Sequence, residues 1–212
     1  TKVNIICSTG FYYTEEPLLN SISDDRIADY IITDAKRINA GIIKCAVEKE
    51  HISAFEAKIL KAVAKAQHEL NLPIVVHSNA RNKNGIKALK ILLQEGVKAS
   101  AVTIGHLSDT DDLEYIKEVA RLGCYIGFDR IYNSPTKEYL DKTANKILEL
   151  CNSGFEDKIL LSHDALFFNG FQTDPTICEA PRFSFCFDNI LPLLPEDLGN
   201  KLMTENPTKM LK

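Results

Sequence analysis

The sequence lacks any uninterrupted apolar run of the roughly 18 residues that a membrane-spanning helix needs. Its opening residues, 1–7, turn polar too quickly for the apolar core of a secretory signal peptide. An excess of positive charge is also missing, because the formal net charge is −4. These absences argue against a membrane protein, and against nucleic acid or an anionic membrane surface as a partner.

Several motifs that indicate a specific chemistry are missing as well. The six cysteines include no CxxC pair, and we therefore expect reduced, structural thiols in a cytoplasmic protein. No glycine-rich phosphate loop precedes a helix, which disfavours a nucleotide-binding open sheet. Because no GxSxG elbow is present either, covalent acyl transfer from a serine is not indicated.

What the sequence does contain is a regular alternation of short apolar runs and amphipathic segments. Each unit is roughly 25–35 residues long, about the size of one strand with one helix. Helical periodicity is strong in segments 24–37 and 53–70, and Ser53 with Glu56 has the spacing of a capping box. The alternation predicts a parallel α/β fold, either an eightfold barrel or an open doubly wound sheet. The predicted strands are 3–8, 42–47, 74–77, 101–106, 124–129 and 158–164.

The second predicted strand carries a lysine in an otherwise apolar run. Because alternate residues of a strand share a face, Lys44 points the same way as Ile42 and Ala46. A buried ammonium group is costly unless a charge pairs with it or chemistry changes it. The residues alone leave two interpretations open, a salt bridge to a neighbouring carboxylate or a reactive amine.

Chemically useful side chains recur at the ends of the predicted strands. Lys44 lies in the second strand, His77 ends the third, His106 the fourth, Asp129 the fifth and Asp164 the sixth. Parallel α/β folds build their sites at the carboxyl ends of their strands, so we expect these side chains to converge. Imidazoles and carboxylates in one place predict a metal site with nitrogen and oxygen ligands.

These residues lie within blocks that resemble consecutive motifs of one known family. Any single block is weakly specific, but together the blocks occur in family order over residues 9–211. They resemble the phosphotriesterase family of the amidohydrolase superfamily, and in particular its phosphotriesterase-like lactonase branch. The blocks are TGFYY, AGIIKCA, LPIVVHSNAR, TIGHLSDTDD, YIGFDR, ILLSHD and ENPTKML.

The resemblance implies a distorted (β/α)8 TIM barrel with two divalent metal ions at its carboxyl rim. Lys44 would react with CO2 to form a carbamate that bridges both metals. His77 and His106 would hold the more exposed metal. Asp164 would bind the buried metal and would take a proton from the bridging hydroxide during catalysis. Zinc is the expected metal, with manganese, cobalt and iron as alternatives.

Further residues match substrate-side positions of the family. Tyr12 matches an aromatic residue that reaches toward the substrate in the lactonase branch. Asp109 and Arg130 match positions in the proton relay and the substrate shell, where a catalytic role for Asp109 and a catalytic or substrate-binding role for Arg130 are implied. Rim salt bridges would explain this pair equally well. The loop after the sixth strand is predicted to line the substrate pocket with Phe167, Phe168 and Phe171.

We therefore expect a binuclear metal-dependent hydrolase that cleaves a lactone or a phosphoester by attack of a metal-bridging hydroxide, most closely a lactonase. The expected partners are a small-molecule ester or lactone and a second copy of the chain in a homodimer. Two alternatives stay open. Lys44 would form a Schiff base in a barrel lyase, or the chain would be a truncated barrel without catalytic capacity.

The sequence departs from the family pattern at its beginning. Six strand units are recognisable, whereas a closed barrel needs eight. The family's first strand carries a His-x-His pair for the buried metal, and no such pair occurs in this sequence. We therefore expect residues 1–212 to form a single hydrolase barrel domain that is N-terminally incomplete and lacks its first two strand units.

Overall fold

The fold is built on a parallel β-sheet with helices packed against it. The computed structural model describes residues 4–131, 136–164 and 184–212. Within these residues the sheet is open, its six strands are all parallel, and the strand order follows the chain. The predicted parallel α/β class is therefore confirmed. The strands are β1 (Ser8–Gly10), β2 (Ile42–Ala46), β3 (Ile74–His77), β4 (Val102–Ile104), β5 (Tyr125–Phe128) and β6 (Ile159–Leu161).

Helices connect the consecutive strands, as a parallel sheet requires. The last helices of the chain follow β6. Of the helices in the described ranges, none combines the length and the apolar character needed to cross a membrane. The helices are α1 (Pro17–Ser21), α2 (Asp24–Ile38), α3 (Ala54–Leu70), α4 (Asn84–Gln94), α5 (Leu113–Arg121), α6 (Lys137–Leu150), α7 (Phe185–Asn189), α8 (Glu196–Asn200) and α9 (Asn206–Met210).

Capping residues fix the ends of α2 and α3. The Ser23 hydroxyl accepts a first-turn backbone N–H of α2 at 3.3 Å, and Ser53 with Glu56 forms the predicted capping box of α3. Both helices end at an asparagine in the left-handed conformation, Asn39 and Asn71. Such N-caps stabilise a helix by about 1 kcal/mol each. The predicted and observed boundaries of these two helices accordingly agree to within one residue.

The residues of β2 alternate in burial, as its sequence predicts. Ile43 and Cys45 are fully buried at 0% exposure. Ile42 and Lys44 lie on the opposite face and remain half-exposed. Because β2 contacts α3, we assign the buried face to the helical side. Lys44 therefore points away from the helical layer.

The first strand lies later in the chain than the apolar pattern predicts. The prediction was 3–8, and it is wrong because pairing with β2 sets the position of β1. Gly10 pairs with Lys44 and has φ of +139°, and a Cβ added there would lie 1.9 Å from the Lys44 carbonyl oxygen. Only glycine tolerates so close an approach of two strands. Ile5 and Ile6, in the predicted strand, are 77% and 46% exposed.

Candidate metal centre

The predicted site residues converge at the carboxyl ends of the strands. Lys44 and His77 lie within β2 and β3. His106, Asp129 and Asp164 follow the ends of β4, β5 and β6 by two, one and three residues. Side-chain contacts join His77, His106, Asp129 and Asp164 into one cluster. The sequence prediction of convergence is therefore met for these four residues.

The chain turns sharply after β4, β5 and β6 through an uncommon backbone conformation. The angle φ is +64° at His106, +56° at Arg130 and +53° at Asp164. A left-handed conformation costs a residue other than glycine on the order of 1 kcal/mol. Contacts elsewhere must offset this cost, and the hydrogen bonds of the site supply them.

Asp129 holds His106 by both its backbone and its ring. One carboxylate oxygen accepts a hydrogen bond from His106 Nδ1 at 2.6 Å, and the other accepts from the His106 backbone N–H at 3.1 Å. The Ser108 hydroxyl donates to the Asp129 carbonyl oxygen. Because an ionised carboxylate only accepts, the His106 proton stays on Nδ1. When the ring carries this single proton, the Nε2 lone pair is available to the site.

Glu48 holds His77 in a similar way. Its Oε2 accepts from His77 Nε2 at 3.0 Å, and its Oε1 accepts from Asn79 Nδ2 at 2.9 Å. Burial alone would raise the pKa of Glu48, but the hydrogen bonds from His77 and Asn79 hold this pKa below its usual value. Burial lowers the pKa of His77 to about 4, so its ring is neutral at pH 7. The neutral ring carries its proton on Nε2 and leaves Nδ1 bare.

The two bare nitrogens face each other. His106 Nε2 lies 2.7 Å from His77 Nδ1, and the rings meet edge to face with centroids 4.5 Å apart. At this distance either the two nitrogens share a proton in a hydrogen bond or a cation lies against both. The low pKa of His77 disfavours a proton on that ring, whereas divalent metals bind neutral imidazole. The donor chemistry of this pair therefore fits a metal ion.

Lys44 lies near the histidine pair and has no counter-ion in the described part of the chain. It pairs in register with Val75 of β3, two residues before His77. After burial itself, the positive charge of Lys44 is among the causes that lower the pKa of His77. Within the described ranges, Lys44 Nζ forms neither a hydrogen bond nor an ion pair. The salt bridge that the sequence left open is therefore not formed among these residues.

Arg130 joins Asp164 to Asp109. Its Nε donates to Asp164 Oδ2 at 3.0 Å, and its Nη1 donates to Asp109 Oδ2 at 3.3 Å. Asp164 Oδ2 also lies 4.0 Å from His106 Nδ1. Burial raises the pKa of Asp109 above its usual range, although Arg130 counteracts part of this effect. The salt bridges of Arg130 to Asp109 and Asp164, which the sequence allowed as an alternative to a catalytic role, are therefore formed, and they lie next to the histidines.

Tyr12 lies against the open side of the histidine pair. Its hydroxyl oxygen is 3.4 Å from His77 Nδ1, and its ring packs on that of Tyr13 with centroids 4.2 Å apart. Burial, together with Tyr13, raises the pKa of Tyr12 to about 12. The hydroxyl is therefore protonated at pH 7. At 45% exposure, the side chain is accessible to a bound molecule.

The histidine pair alone is not a complete metal site. In the portion of the chain that the structure describes, no group of three or more His, Cys, Asp or Glu side chains is arranged to hold a metal ion. These residues offer two imidazole ligands, and Lys44, which belongs to none of those residue types, is the candidate for a further one. The predicted pocket residues Phe167, Phe168 and Phe171 lie outside the described residues.

Glu48 is the site residue that the sequence interpretation misses. It follows β2 and has the same parity as Lys44 and Ala46, so the alternation that selects Lys44 also points to it. The interpretation includes Asp129 at a strand end but assigns it no partner. The structure shows that it binds His106. Both omissions concern carboxylates that bind the ring nitrogen of a histidine that faces away from the other histidine.

Comparison with known proteins connects these features to a family. The profile of the phosphotriesterase family matches residues 1–211. An aryldialkylphosphatase from Saccharolobus solfataricus is 36% identical over 99% of this chain and 72% of its own length. A phosphotriesterase homology protein from Mycobacterium tuberculosis is 31% identical over 78% of this chain and 55% of its own length. An N-acetyltaurine hydrolase from Mus musculus is 29% identical over 100% of this chain and 66% of its own length.

The extent of these matches decides the family. The chain spans between 55% and 72% of the lengths of these three relatives. In the other direction, the family profile covers nearly every residue of the chain, including the histidine pair and the carboxylates that hold it. The resemblance that the sequence blocks carry is thereby confirmed. The chain belongs to the phosphotriesterase family.

Proposed function

We propose that this chain carries the site of a metal-dependent hydrolase that cleaves a lactone or a phosphoester. The phosphotriesterase family has a TIM barrel fold and generally depends on two divalent metals. The similar proteins are named as hydrolases, an aryldialkylphosphatase and an N-acetyltaurine hydrolase. Lactonase-type cleavage is the form that we favour, because the blocks TGFYY and YIGFDR resemble the lactonase branch.

The facing nitrogens of His77 and His106 carry this proposal. Each ring gives its outer N–H to a carboxylate, so both inner lone pairs are available to the same cation. When bound, divalent metals would supply Lewis acidity, which lowers the pKa of water and polarises a carbonyl or phosphoryl oxygen. Lys44, as a carbamate, and Asp164 would complete the set of residues that holds the metals.

We assign the handling of the proton to Asp164, Arg130 and Asp109. Asp164 acts as the general base toward the attacking water. Arg130 orients the Asp164 carboxylate through its hydrogen bond of 3.0 Å. Arg130 also contacts Asp109, whose pKa burial raises. A raised pKa makes Asp109 a better proton acceptor, and we therefore place it after Asp164 in the relay.

We assign the orientation of the substrate to Tyr12. Its protonated hydroxyl can donate a hydrogen bond at the open side of the histidine pair, where its oxygen is 3.4 Å from His77 Nδ1. The ring oxygen of a lactone and the ester oxygen of a phosphoester are both acceptors for such a donor. Loss of the hydroxyl should therefore raise KM more than it lowers kcat.

Removal and return of the metal test the proposed hydrolase. The natural full-length protein would be treated with a chelator, reloaded with zinc in bicarbonate, and assayed on a lactone, a phosphotriester and an N-acyl amide. We expect activity to disappear with the metal and to return with zinc. His77→Asn and His106→Asn should each lower kcat/KM by about 100-fold or more. His68→Asn is the matched control, because His68 lies away from the site and its ring forms a hydrogen bond with the Glu95 carbonyl oxygen at 2.8 Å.

Two outcomes would instead support the alternatives. Turnover without metal, with a carbonyl substrate trapped on Lys44 by borohydride, would support a Schiff-base lyase. A protein that neither binds zinc nor turns over any substrate would support a barrel without catalytic capacity. Zinc as the natural metal, the carbamate on Lys44, the single domain over residues 1–212, the homodimer and the cytoplasmic location stay predictions.

A further inference from the structure

Glu48 stands out because it binds a site histidine and is itself held firmly. Its side chain is 37% exposed, yet both carboxylate oxygens are engaged, one by His77 Nε2 at 3.0 Å and one by Asn79 Nδ2 at 2.9 Å. Its carbonyl oxygen accepts from Asn82 Nδ2 at 3.0 Å. These contacts hold the carboxylate of this part-buried residue in one position.

The backbone of Glu48 is anchored by the start of α3. The Glu48 N–H donates to Glu56 Oε1 at 2.9 Å, and the Ser53 N–H donates to the other oxygen of Glu56 at 2.7 Å. Glu56 is only 3% exposed. A single buried carboxylate therefore fixes both ends of segment 48–53, which connects β2 to α3. This connection presets the position of the Glu48 carboxylate before any ligand arrives.

The contact determines which nitrogen of His77 carries the proton. In a neutral imidazole only one nitrogen is protonated, and a carboxylate accepts but does not donate. Glu48 therefore selects the form with the proton on Nε2 and the lone pair on Nδ1, which faces His106 Nε2 at 2.7 Å. Without Glu48, His77 could place its proton on Nδ1 and block the same position.

We infer that Glu48 is a positioning residue for His77, which fixes the ring in the form whose Nδ1 lone pair can bind a divalent metal. It corresponds to Asp129 on His106, so each imidazole of the pair has its own carboxylate. The part of the inference that concerns metal affinity rests on the proposed function. The part that concerns the proton on His77 does not.

Nitrogen-15 NMR of the histidine rings tests the inference directly. In the metal-free natural protein, long-range proton–nitrogen correlation should show His77 protonated on Nε2 alone. In Glu48→Ala we expect a mixture of the two tautomers. The zinc dissociation constant should rise about 10- to 100-fold, as for other carboxylates behind a metal-bound histidine. Glu48→Gln keeps one accepting oxygen but loses the charge, and it should fall between Glu48→Ala and the natural protein.

Glu50→Gln is the matched control, because Glu50 lies in the same loop and, among the residues that the structure describes, it is bound through its backbone carbonyl, to Lys87 Nζ at 2.7 Å. Unchanged signals of His68, which contacts the Glu95 carbonyl oxygen away from the site, would show that each variant is folded. If Glu48→Ala does not fold, Glu48→Gln is used for the test. An unaltered His77 tautomer, with zinc binding within twofold of the control in both variants, would overturn the inference. If no variant binds zinc but the His77 tautomer changes, the proposed function fails and the positioning role stands.

Discussion

At the scale of single residues, the carboxylates of Glu48 and Asp129 bind one nitrogen of each site histidine. We infer that they thereby set which nitrogen is free to bind a metal ion. The sequence indicates His77 and His106 as ligands because both lie at strand ends. It does not indicate which nitrogen of each ring is free, because Glu48 is 29 residues from His77 and Asp129 is 23 residues from His106. The tautomers therefore follow from contacts that only the folded chain brings together.

Asp129→Asn should damage both the site and the stability of the protein. An asparagine side chain offers one accepting oxygen and one NH2 group, so it cannot accept from both His106 donors. We expect zinc affinity to fall about 10- to 100-fold and the free energy of unfolding to fall by about 1–3 kcal/mol. Zinc titration and urea unfolding measure these changes. Asp29→Asn, at an exposed position of α2, is the control, and equal zinc affinity in both variants would refute this role.

At the scale of elements, local signals predict helices better than strands. The capping residues of α2 and α3 act within one turn, so Ser23, Ser53 and Glu56 are readable from the sequence. The position of β1 depends on pairing with β2, more than 30 residues away, and the apolar pattern misplaces it. The left-handed conformations at His106 and Asp164 cannot be predicted from the local sequence either, because side chains distant in the sequence stabilise them.

Glu56→Ala should cost more stability than an ordinary helix substitution. The change removes the capping box and leaves the Glu48 and Ser53 N–H groups without their acceptor. We expect the free energy of unfolding to fall by about 2–4 kcal/mol. In Glu69→Ala, on the same helix, only an exposed ion pair with Lys36 is lost, and the change should stay below about 1 kcal/mol. Equal urea midpoints for the two variants would contradict this difference.

Lys146 of α6 holds the loop between β4 and α5. It is 6% exposed, and its Nζ donates to the carbonyl oxygens of Ser108 and Thr110 at 3.0 Å each. In Lys146→Met both carbonyls lose this donor, so amide hydrogen exchange in segment 107–113 should accelerate. Lys142→Met, which removes an exposed ion pair to Asp111, should leave that exchange unchanged. Mass spectrometry of the exchanged peptides compares the two, and equal protection would disprove the role of Lys146.

At the scale of the whole molecule, the regular alternation of strands and helices is enough to predict the class of fold. The blocks at the strand ends are enough to predict the family, which the profile match over residues 1–211 confirms. Substrate selection is different, because we expect it to depend on the loop after β6, and residues 165–183 of that loop lie outside the described ranges. Aromatic composition alone does not determine how such a loop faces a ligand.

Burial in the core should keep three thiols unreactive. Burial raises the pKa of Cys45, Cys124 and Cys186 to about 12 each, so at pH 8 only about one thiol in 10,000 is ionised. We expect iodoacetamide to label these residues in the native protein far more slowly than Cys7, which is exposed. Peptide mass spectrometry after timed labelling measures the rates. Labelling of Cys45 as fast as that of Cys7 would contradict the burial of Cys45 in β2.

The central claim is that His77 and His106 bind one metal ion between them. X-ray diffraction at the zinc absorption edge, on crystals of the natural protein grown with zinc and bicarbonate, tests it most directly. We predict an anomalous peak about 2.0–2.1 Å from both His77 Nδ1 and His106 Nε2, with the Lys44 side chain extended by the atoms of a carbamate. Tetrahedral zinc at these distances requires the two nitrogens to separate from 2.7 Å to about 3.3 Å. Zinc bound elsewhere, with no peak between these two nitrogens, would contradict the claim.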